Sequence, residues 1–556
     1  MFKPKFFSLI SSYTKEQIIK DMTAGVVVAI IALPLSIALA IASGASPEKG
    51  LHTAIIAGFL ISFLGGSRVQ IGGPTGAFVI IVFGIIQKHG FDGLIIATIM
   101  AGIFLIIFGL VGLGTFIRLI PYPITTGFTS GIAVVIFTTQ VKDFLGLSIE
   151  KMPAGFVGMW NSFALNARTI NFWAAGVAFI SLLTIIYWPK ITGKIPGSLI
   201  AVIGASVAVY FFQIPVETIG SRFGEISSSL PAISLPVITF DKIEQLIMPS
   251  ITIALLAGIE SLLSAVVADG MIGSTHRPNA ELIAQGTANI ASGLFGGLPA
   301  TGAIARTAAN INNGGRTPIA GMTHAIVLLI MLVAFMPLAK FIPMSALAAI
   351  LVIVAYKMSE WHSFKSLLRA PKSDITVLLI TFLLTVFIDL VVAIEIGMIL
   401  AALLFMKRMS DVTESGFTHE QAEDDTSDLK KYLDSRNIKL PKGVGIYEIN
   451  GPFFFGIADK FLEGAVFDRS PVPVLIIRLR NVPAMDATGL HALTRLLSKC
   501  KDLGTQMILS EVRDQPMKTM TRAGFFNHLN LENVCFTFEA AVKRAAELRE
   551  NSKKKH

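Results

Sequence analysis

The sequence contains little cysteine and little charge for its length. Cys500 and Cys535 are the only cysteines among 556 residues, and charged residues make up 15% of the chain. Two distant cysteines do not build a disulfide framework, and no Cys/His cluster has the spacing of a metal site. No nucleophile stands in a pattern with a base. The sequence therefore predicts no enzyme, no catalytic residues and no bound cofactor or metal.

Apolar residues fill most of the chain. They make up 53% of it, and the mean hydropathy is +0.68, as in a protein that crosses the lipid bilayer many times. The net charge of +9 does not predict nucleic-acid binding, because cations flank the apolar runs. Both termini are predicted to be cytoplasmic, which requires an even number of spans. The flanking cations are Lys3, Lys5, Lys15, Lys20, Lys407 and Arg408.

Fourteen apolar segments occur, seven on each side of a polar connection, which predicts a 7+7 inverted repeat. After the last span the pattern changes to alternating strands and helices, which predicts a small α/β domain. The predicted strands are 445–449, 474–479 and 506–509, and the predicted helices are 458–467, 488–501, 516–523 and 538–549. The predicted parts are a basic amphipathic lead-in (1–20), a first transmembrane repeat (21–212), the connection (213–243), a second repeat (244–408), an acidic linker (409–442), the α/β domain (443–550) and a basic tail (551–556).

Two apolar segments in corresponding positions are interrupted by glycine and proline. One reads Phe63-Leu-Gly-Gly66 and then Gly73-Pro-Thr-Gly-Ala77, and the other reads Phe295-Gly-Gly297 and then Pro299-Ala-Thr-Gly-Ala303. Broken helices at matching places in two repeats are typical of a transporter binding site. The alternative is that small residues merely let helices pack closely.

Arg306 follows the second interruption by one helical turn. A helix beginning there directs free N–H groups and the positive end of its dipole into the cavity. Together with a guanidinium, this arrangement favours an anion, with hydroxyl donors from Thr75 and Thr301.

Glu260 lies inside an apolar span, where a carboxylate is unfavourable and marks a functional position. It is a candidate for binding the coupling proton or cation. The alternative is a fixed Glu260–Arg306 ion pair that braces two helices. Ser264 lies one turn further on the same face, where it would bond the carboxylate, line the site or pack between helices.

In the α/β domain, Asp486 and Thr488 precede and open a helix. Asp486 is a predicted N-cap, which alone explains its presence. Thr488 is an exposed hydroxyl at a helix start, where a phosphate would be tolerated, so it is a candidate for regulatory phosphorylation.

These residues resemble the SulP/sulfate-permease family of anion transporters over nearly the whole chain, and the C-terminal block resembles the STAS domain of those transporters. The matching pieces are Pro34, Gly73-Pro-Thr-Gly76, Gly127-Phe-Thr-Ser-Gly131, Ile259-Glu-Ser-Leu-Leu263, Val267-Ala-Asp269, Thr301-Gly-Ala-Ile-Ala-Arg306-Thr, Gly314-Gly-Arg-Thr-Pro318 and, in the STAS domain, Val482-Pro-Ala-Met-Asp-Ala-Thr-Gly489.

The resemblance implies a core and a gate domain that move as an elevator, with the anion between the third and tenth segments. It implies a homodimer in the bacterial cytoplasmic (inner) membrane and regulation at the STAS domain, either by phosphorylation, with Thr488 at the phosphorylated position, or by a further protein. The residues implied to line the anion site are Thr75, Gly76, Ala77, Thr301, Gly302, Ala303 and Arg306.

The same resemblance bears on coupling and substrate. Glu260 stands where sodium-dependent bicarbonate members carry a cation-binding aspartate, and the glutamate favours protons over sodium. The chain resembles the bacterial C4-dicarboxylic-acid branch through Asp269-Gly-Met-Ile-Gly-Ser-Thr-His276 and Ala355-Tyr-Lys-Met-Ser-Glu360. Succinate, fumarate or aspartate is therefore expected, with sulfate and bicarbonate open.

Two further functions compete with anion transport. A nucleobase permease would share the fold, but Arg306 and the STAS domain argue against a neutral substrate. A membrane sensor with the STAS domain as its output could keep the broken helices and Glu260, although both features favour transport.

Overall fold

The computed structural model describes residues 3–9, 13–115, 121–149, 152–153, 155–192, 195–224, 228, 230–233, 236–388, 390–412, 414–418, 438, 440–454 and 472–553. The chain divides into two compact units, Met1–Ile399 and Leu400–His556.

Helices build the first unit, together with two very short strands, and the last of these helices begins in this unit and ends in the second. The helices are α1 (Lys5–Leu9), α2 (Lys15–Ala42), α3 (Pro47–Leu64), α4 (Val79–Leu110), α5 (Tyr122–Leu145), α6 (Phe156–Leu165), α7 (Phe172–Ile191), α8 (Gly197–Phe212), α9 (Ile219–Phe223), α10 (Phe240–Ile272), α11 (Pro278–Leu294), α12 (Ile304–Asn312), α13 (Ile319–Ala339), α14 (Met344–Met358), α15 (Trp361–Leu367), α16 (Lys372–Phe387) and α17 (Leu390–Val412). The strands are β1 (Gly72–Gly73) and β2 (Thr301–Gly302).

Every predicted apolar segment coincides with a helix or with the helical part of a broken segment. The third and fourth segments form the single element α4, which breaks at Gly90, where φ is 70° and ψ is −177°. Seven helical stretches of the described chain are long and apolar enough to cross a membrane. The total of fourteen spans therefore stays a prediction.

The predicted connection 213–243 includes helical residues among those that the structure describes. It contains α9, whose first amides bind the opposite loop: Ile219 N donates to Ile342 O and Gly220 N donates to Lys340 O, each over 2.9 Å. α10 begins at Phe240, within the predicted connection 213–243 and before the predicted start of the second repeat at residue 244. Hydropathy detects the apolar part of a helix and misses the charged first turns that extend into water.

The close packing of the helices determines where the site lies. α11 lies along α4, α13 lies against α2 and α3, and α10 contacts α4 and α12, while α5 packs with α14 and α16. Where α4 and α11 cross, a methyl group added at Gly102 would lie 2.6 Å from Gly286 O. Glycine is needed on this helix because any side chain would push the two backbones apart.

The second unit is a five-stranded sheet in the order β3-β4-β5-β6-β7, with β3 antiparallel to β4 and the other pairs parallel. Strand β3 lies within the predicted linker, and β7 was also not predicted. The predicted helix over 458–467 falls outside the described residues. The elements are β3 (Glu414–Thr418), β4 (Val444–Asn450), β5 (Val474–Asn481), α18 (Ala487–Asp502), β6 (Gln506–Ser510), α19 (Asp514–Arg522), β7 (Val534–Cys535) and α20 (Phe538–Lys553).

Candidate anion site

The two broken segments meet directly. β1 and β2 pair antiparallel, with Gly72 opposite Gly302 and Gly73 opposite Thr301. A short 3₁₀ turn over Gly76–Phe78 leads from β1 into α4, and α12 begins two residues after β2. The two broken segments therefore meet, and the first turns of two helices begin beside one small sheet.

Side chains of α12 hold the chain that enters β1. Ile71 N donates to Thr307 Oγ1 over 3.1 Å, and Asn310 Nδ2 donates to Val69 O over 2.8 Å. In return, Ala303 N donates to Ile71 O over 2.9 Å. These bonds satisfy backbone groups that would otherwise lie unpaired in an apolar interior.

Arg306 is buried, with 2% of its surface exposed, and it points into the protein rather than toward lipid. Its Nη2 donates to Pro74 O over 3.0 Å and to Ser36 Oγ of α2 over 3.4 Å. Its Nε and Nη1 have no hydrogen-bond partner among the described residues. A guanidinium that is buried with two unpaired nitrogens is a strong donor for an oxyanion.

The turn beside this guanidinium requires glycine. Gly73 has a φ of 153°, and a methyl group added there would collide with Nη1 of Arg306. The backbone can therefore approach the guanidinium only where the side chain is absent.

Glu260 is partly buried on α10, and it accepts a hydrogen bond of 2.9 Å from Thr75 Oγ1 to its Oε2. Among the described residues, Glu260 and Arg306 do not form an ion pair, because Arg306 binds Pro74 and Ser36 instead. The alternative interpretation, a fixed Glu260–Arg306 salt bridge that braces α10 and α12, is therefore not supported. The carboxylate instead lies at the start of the first broken helix.

The Thr75 hydroxyl, predicted to donate to the anion, donates to Glu260 instead. Thr301, also predicted as an anion donor, and Ser264, predicted to bond the carboxylate, line the site or pack between helices, likewise have partners within the protein. Thr301 Oγ1 donates to Ala257 O over 2.8 Å, and Ala303, rather than Thr301, is the N-cap of α12. Ser264 Oγ donates to Thr307 Oγ1 over 3.3 Å and not to Glu260. Both side chains are buried and tie α10 to the second broken segment.

The remaining predicted site residues offer backbone rather than side chains. Gly76, Ala77, Gly302 and Ala303 are buried at the starts of the two broken helices. A methyl group at Gly76 would lie 2.8 Å from Met358 Sδ and 3.0 Å from Ile136 Cδ1. α14 and α5 thus form a wall over Gly76 that sequence reasoning missed, because an apolar residue carries no signal of its role.

Asp21 is a second missed residue. It is fully buried near the start of α2 and accepts hydrogen bonds from Arg316 N (2.6 Å), Thr317 N (3.2 Å) and Thr317 Oγ1 (2.6 Å). Arg316 in turn donates through Nη1 to Ile311 O over 2.8 Å at the end of α12. This cluster fixes the C-terminal end of α12. The sequence did not mark Asp21 because it lies at the predicted start of the first transmembrane repeat, where a carboxylate is ordinary.

The first of the two motifs that resemble the dicarboxylate branch, Asp269-Gly-Met-Ile-Gly-Ser-Thr-His276, forms a turn. Asp269 Oδ2 lies 2.6 Å from His276 Nδ1, and Asp269 Oδ1 accepts a bond of 2.9 Å from Ser274 Oγ. These residues join the end of α10 to α11.

In the second unit, Asp486 caps α18 by accepting a bond of 2.7 Å from Gly489 N, as predicted, and Thr488 is exposed in the first turn.

Comparison with known proteins gives consistent matches. Residues 18–381 match the sulfate permease family, and residues 435–541 match the STAS domain. The protein named "Putative sulfate transporter YvdB" of Bacillus subtilis (strain 168) is 40% identical over 532 residues, which cover 95% of this chain and 98% of that protein. The bicarbonate transporter BicA of Picosynechococcus sp. is 30% identical over 540 residues, 94% of each chain.

Solved structures agree on the fold. SLC26A9 superimposes with a TM-score of 0.85 at 19% identity and covers 98% of this chain and 93% of its own. The transmembrane domain of a cyanobacterial BicA gives a TM-score of 0.62 at 30% identity, covering 70% of this chain and 98% of that one. The described architecture is that of a helical membrane transporter with a C-terminal STAS domain.

Proposed function

Because the chain belongs to the sulfate permease family and carries a STAS domain, we propose that this anion transporter performs secondary active transport of small oxyanions. The observation that carries the proposal is the buried guanidinium of Arg306, which lies beside the paired broken segments and has two nitrogens with no hydrogen-bond partner within the described part of the chain. The first N–H groups of α12 and of the turn at Gly76 supply further donors.

Glu260 is proposed to couple transport to protons. An anion at Arg306 brings negative charge near the carboxylate that Thr75 binds. Two neighbouring anions repel each other in a medium of low dielectric constant, and a proton on Glu260 removes that repulsion. A sodium ion at Glu260 would also remove that repulsion, so the uptake experiment compares a proton gradient with a sodium gradient.

Sulfate and bicarbonate are the first substrates to test, since YvdB and BicA carry those names. C4-dicarboxylates are the second candidate. The observation in their favour is that Met358 lies within the motif Ala355–Glu360 and packs over Gly76, so part of that motif reaches the site.

The remaining features of the proposal concern motion and assembly. β1, β2 and α12 would move together as an elevator past α5 and α14, in a homodimer in the cytoplasmic membrane with both termini inside. The exposed Thr488 would be the site at which phosphorylation, or a regulatory protein, acts on the STAS domain.

The test is uptake by the purified full chain in proteoliposomes. Radiolabelled sulfate, bicarbonate, succinate and fumarate are offered separately, each with an inward proton gradient and then with an inward sodium gradient, and uracil serves as the neutral substrate. We expect saturable uptake of at least one anion that the proton gradient accelerates. Uptake of uracil alone, or of nothing beyond empty liposomes, would overturn the proposal.

A further inference from the structure

α11 presents a line of buried polar side chains that the anion site does not use. They recur at intervals of three and four residues, so they lie along one face of the helix. Each is fully buried in an otherwise apolar environment, where polar groups are retained only with partners. The residues are Glu281, Gln285, Asn289 and Ser292.

Glu281 binds the Gly-Gly turn of the first repeat. Its Oε2 accepts hydrogen bonds from Gly66 N over 2.8 Å and from Ser67 N over 3.0 Å, and its Oε1 accepts one from Gln285 Nε2 over 2.9 Å. A methyl group added at Gly65 would lie 3.2 Å from the same carboxylate oxygen. The turn therefore fits closely around the carboxylate, only a few residues before β1.

Asn289 binds the second broken segment immediately before β2. Its Oδ1 accepts from Ala300 N over 2.9 Å, and its Nδ2 donates to Ala300 O over 2.8 Å, so the amide pairs with one residue as a neighbouring strand would. Leu298 is held on both sides, because its carbonyl accepts from Ser292 Oγ and its N–H donates to Thr53 Oγ1 of α3, each over 2.7 Å.

The sheet at the site needs such support. β1 and β2 share only two residue pairs, too few to be stable by themselves. The chains that enter the two strands are both bound to one rigid helix, at Glu281 and at Asn289, two turns apart and about 12 Å along the axis. Their relative position is therefore set by α11.

We propose that Glu281 and Asn289 are positioning residues that hold the two broken segments in the register that brings the start of the first broken helix and Arg306 to one anion. The proposal rests on the proposed transport function for its link to the anion. Displacement of a binding group by about 1 Å can reduce activity about a hundredfold, so the loss of either clamp should weaken anion binding.

The experiment compares Glu281→Ala and Asn289→Ala with Thr287→Ala as the matched control. Thr287 lies on the same helix, and its hydroxyl donates to Ile283 O of that helix, with no other side-chain hydrogen bond to a described residue. Peptide-resolved hydrogen exchange of the full chain in nanodiscs is measured over 66–73 and 298–303, and KM and Vmax for sulfate and bicarbonate are measured in proteoliposomes.

We expect faster exchange over 66–73 in Glu281→Ala and over 298–303 in Asn289→Ala. The folded fraction of each should show a KM raised about tenfold or more. A merely structural role would reduce the folded fraction and leave its KM unchanged, and that result would overturn the proposal. If the wild type transported no anion, the proposed function would fail, while the exchange data would still decide whether the clamps position the segments.

A conservative variant protects the test against misfolding. Glu281→Gln keeps an acceptor for Gly66 and Ser67, and Gln285 can turn its amide because its Oε1 has no hydrogen-bond partner among the described residues. Glu281→Gln should therefore keep the wild-type KM and exchange. A raised KM in this variant with wild-type exchange would contradict positioning and indicate a role for the charge.

Discussion

Thr75 and Glu260 are separated by 185 positions in sequence and joined by a hydrogen bond of 2.9 Å. The bond links the start of the first broken helix to α10 of the second repeat. Thr301 makes the complementary link, because its hydroxyl donates to Ala257 O on the same helix. α10 therefore contacts both broken segments, and a change at Glu260 acts directly on the proposed anion site.

Replacing Glu260 by glutamine should abolish the acceleration of uptake by an inward proton gradient. Glutamine keeps an oxygen that can accept from Thr75 Oγ1, so the geometry is retained while the titratable group is lost. The measurement is initial uptake with and without the gradient, and wild-type acceleration in the variant would remove Glu260 from the coupling role.

Replacing Arg306 by alanine should weaken anion binding about ten- to a hundredfold, since hydrogen bonds to charged groups contribute about 1.5–3 kcal/mol. Lysine should restore little, because it lacks the planar fork that reaches Pro74 O and an oxyanion together. Isothermal titration with sulfate and bicarbonate measures this. Arg168→Ala removes an exposed guanidinium as the control, and equal losses in both variants would argue against a specific role.

Replacing Asp21 by alanine should lower the thermal midpoint of the purified protein. The change leaves the Arg316 and Thr317 donors unpaired in a buried position, and each unpaired group costs about 1–3 kcal/mol. Glu16→Ala is the control, because its ion pair with Lys20 is exposed and contributes little. A shift no larger than that of the control would show that the cluster does not anchor α12.

The two cysteines should resist alkylation in the native protein. Burial raises the pKa of the Cys500 thiol to about 12 and raises that of Cys535 as well. At pH 8 only about one Cys500 in ten thousand is a thiolate. Maleimide labelling before and after denaturation by detergent measures this, and rapid native labelling would contradict the packing of the second unit.

The raised pKa of Cys500 also predicts how the stability of the protein changes with pH. Because the folded pKa of Cys500 lies above its unfolded value, the stabilisation is complete below the unfolded pKa and is lost as the pH rises toward 12. Denaturant midpoints measured from pH 8 to pH 11 should therefore fall, and Cys500→Ala should remove this part of the pH dependence.

Residues with an unusual chemical signal were identified from sequence. A charge inside an apolar run is rare enough to mark Glu260 and Arg306, and two matching Gly/Pro interruptions mark the broken segments. Glu281 and Asp21 escaped because each lies near a predicted span end, where a carboxylate is ordinary. Asn289 and Met358 escaped because neither an amide nor a thioether is unusual in a membrane helix.

The sequence by itself determined the membrane class, the order of the helices, the change to an α/β domain and the two places where helices had to break, because hydrophobic patterning and backbone restrictions are local properties. Only the tertiary structure decided which donors remain available. Thr301 donates to Ala257 and Ser264 donates to Thr307, whereas two nitrogens of Arg306 have no hydrogen-bond partner among the residues that the structure describes. Hydrogen-bond partners in a membrane interior come from distant segments, and their pairing depends on how the helices pack.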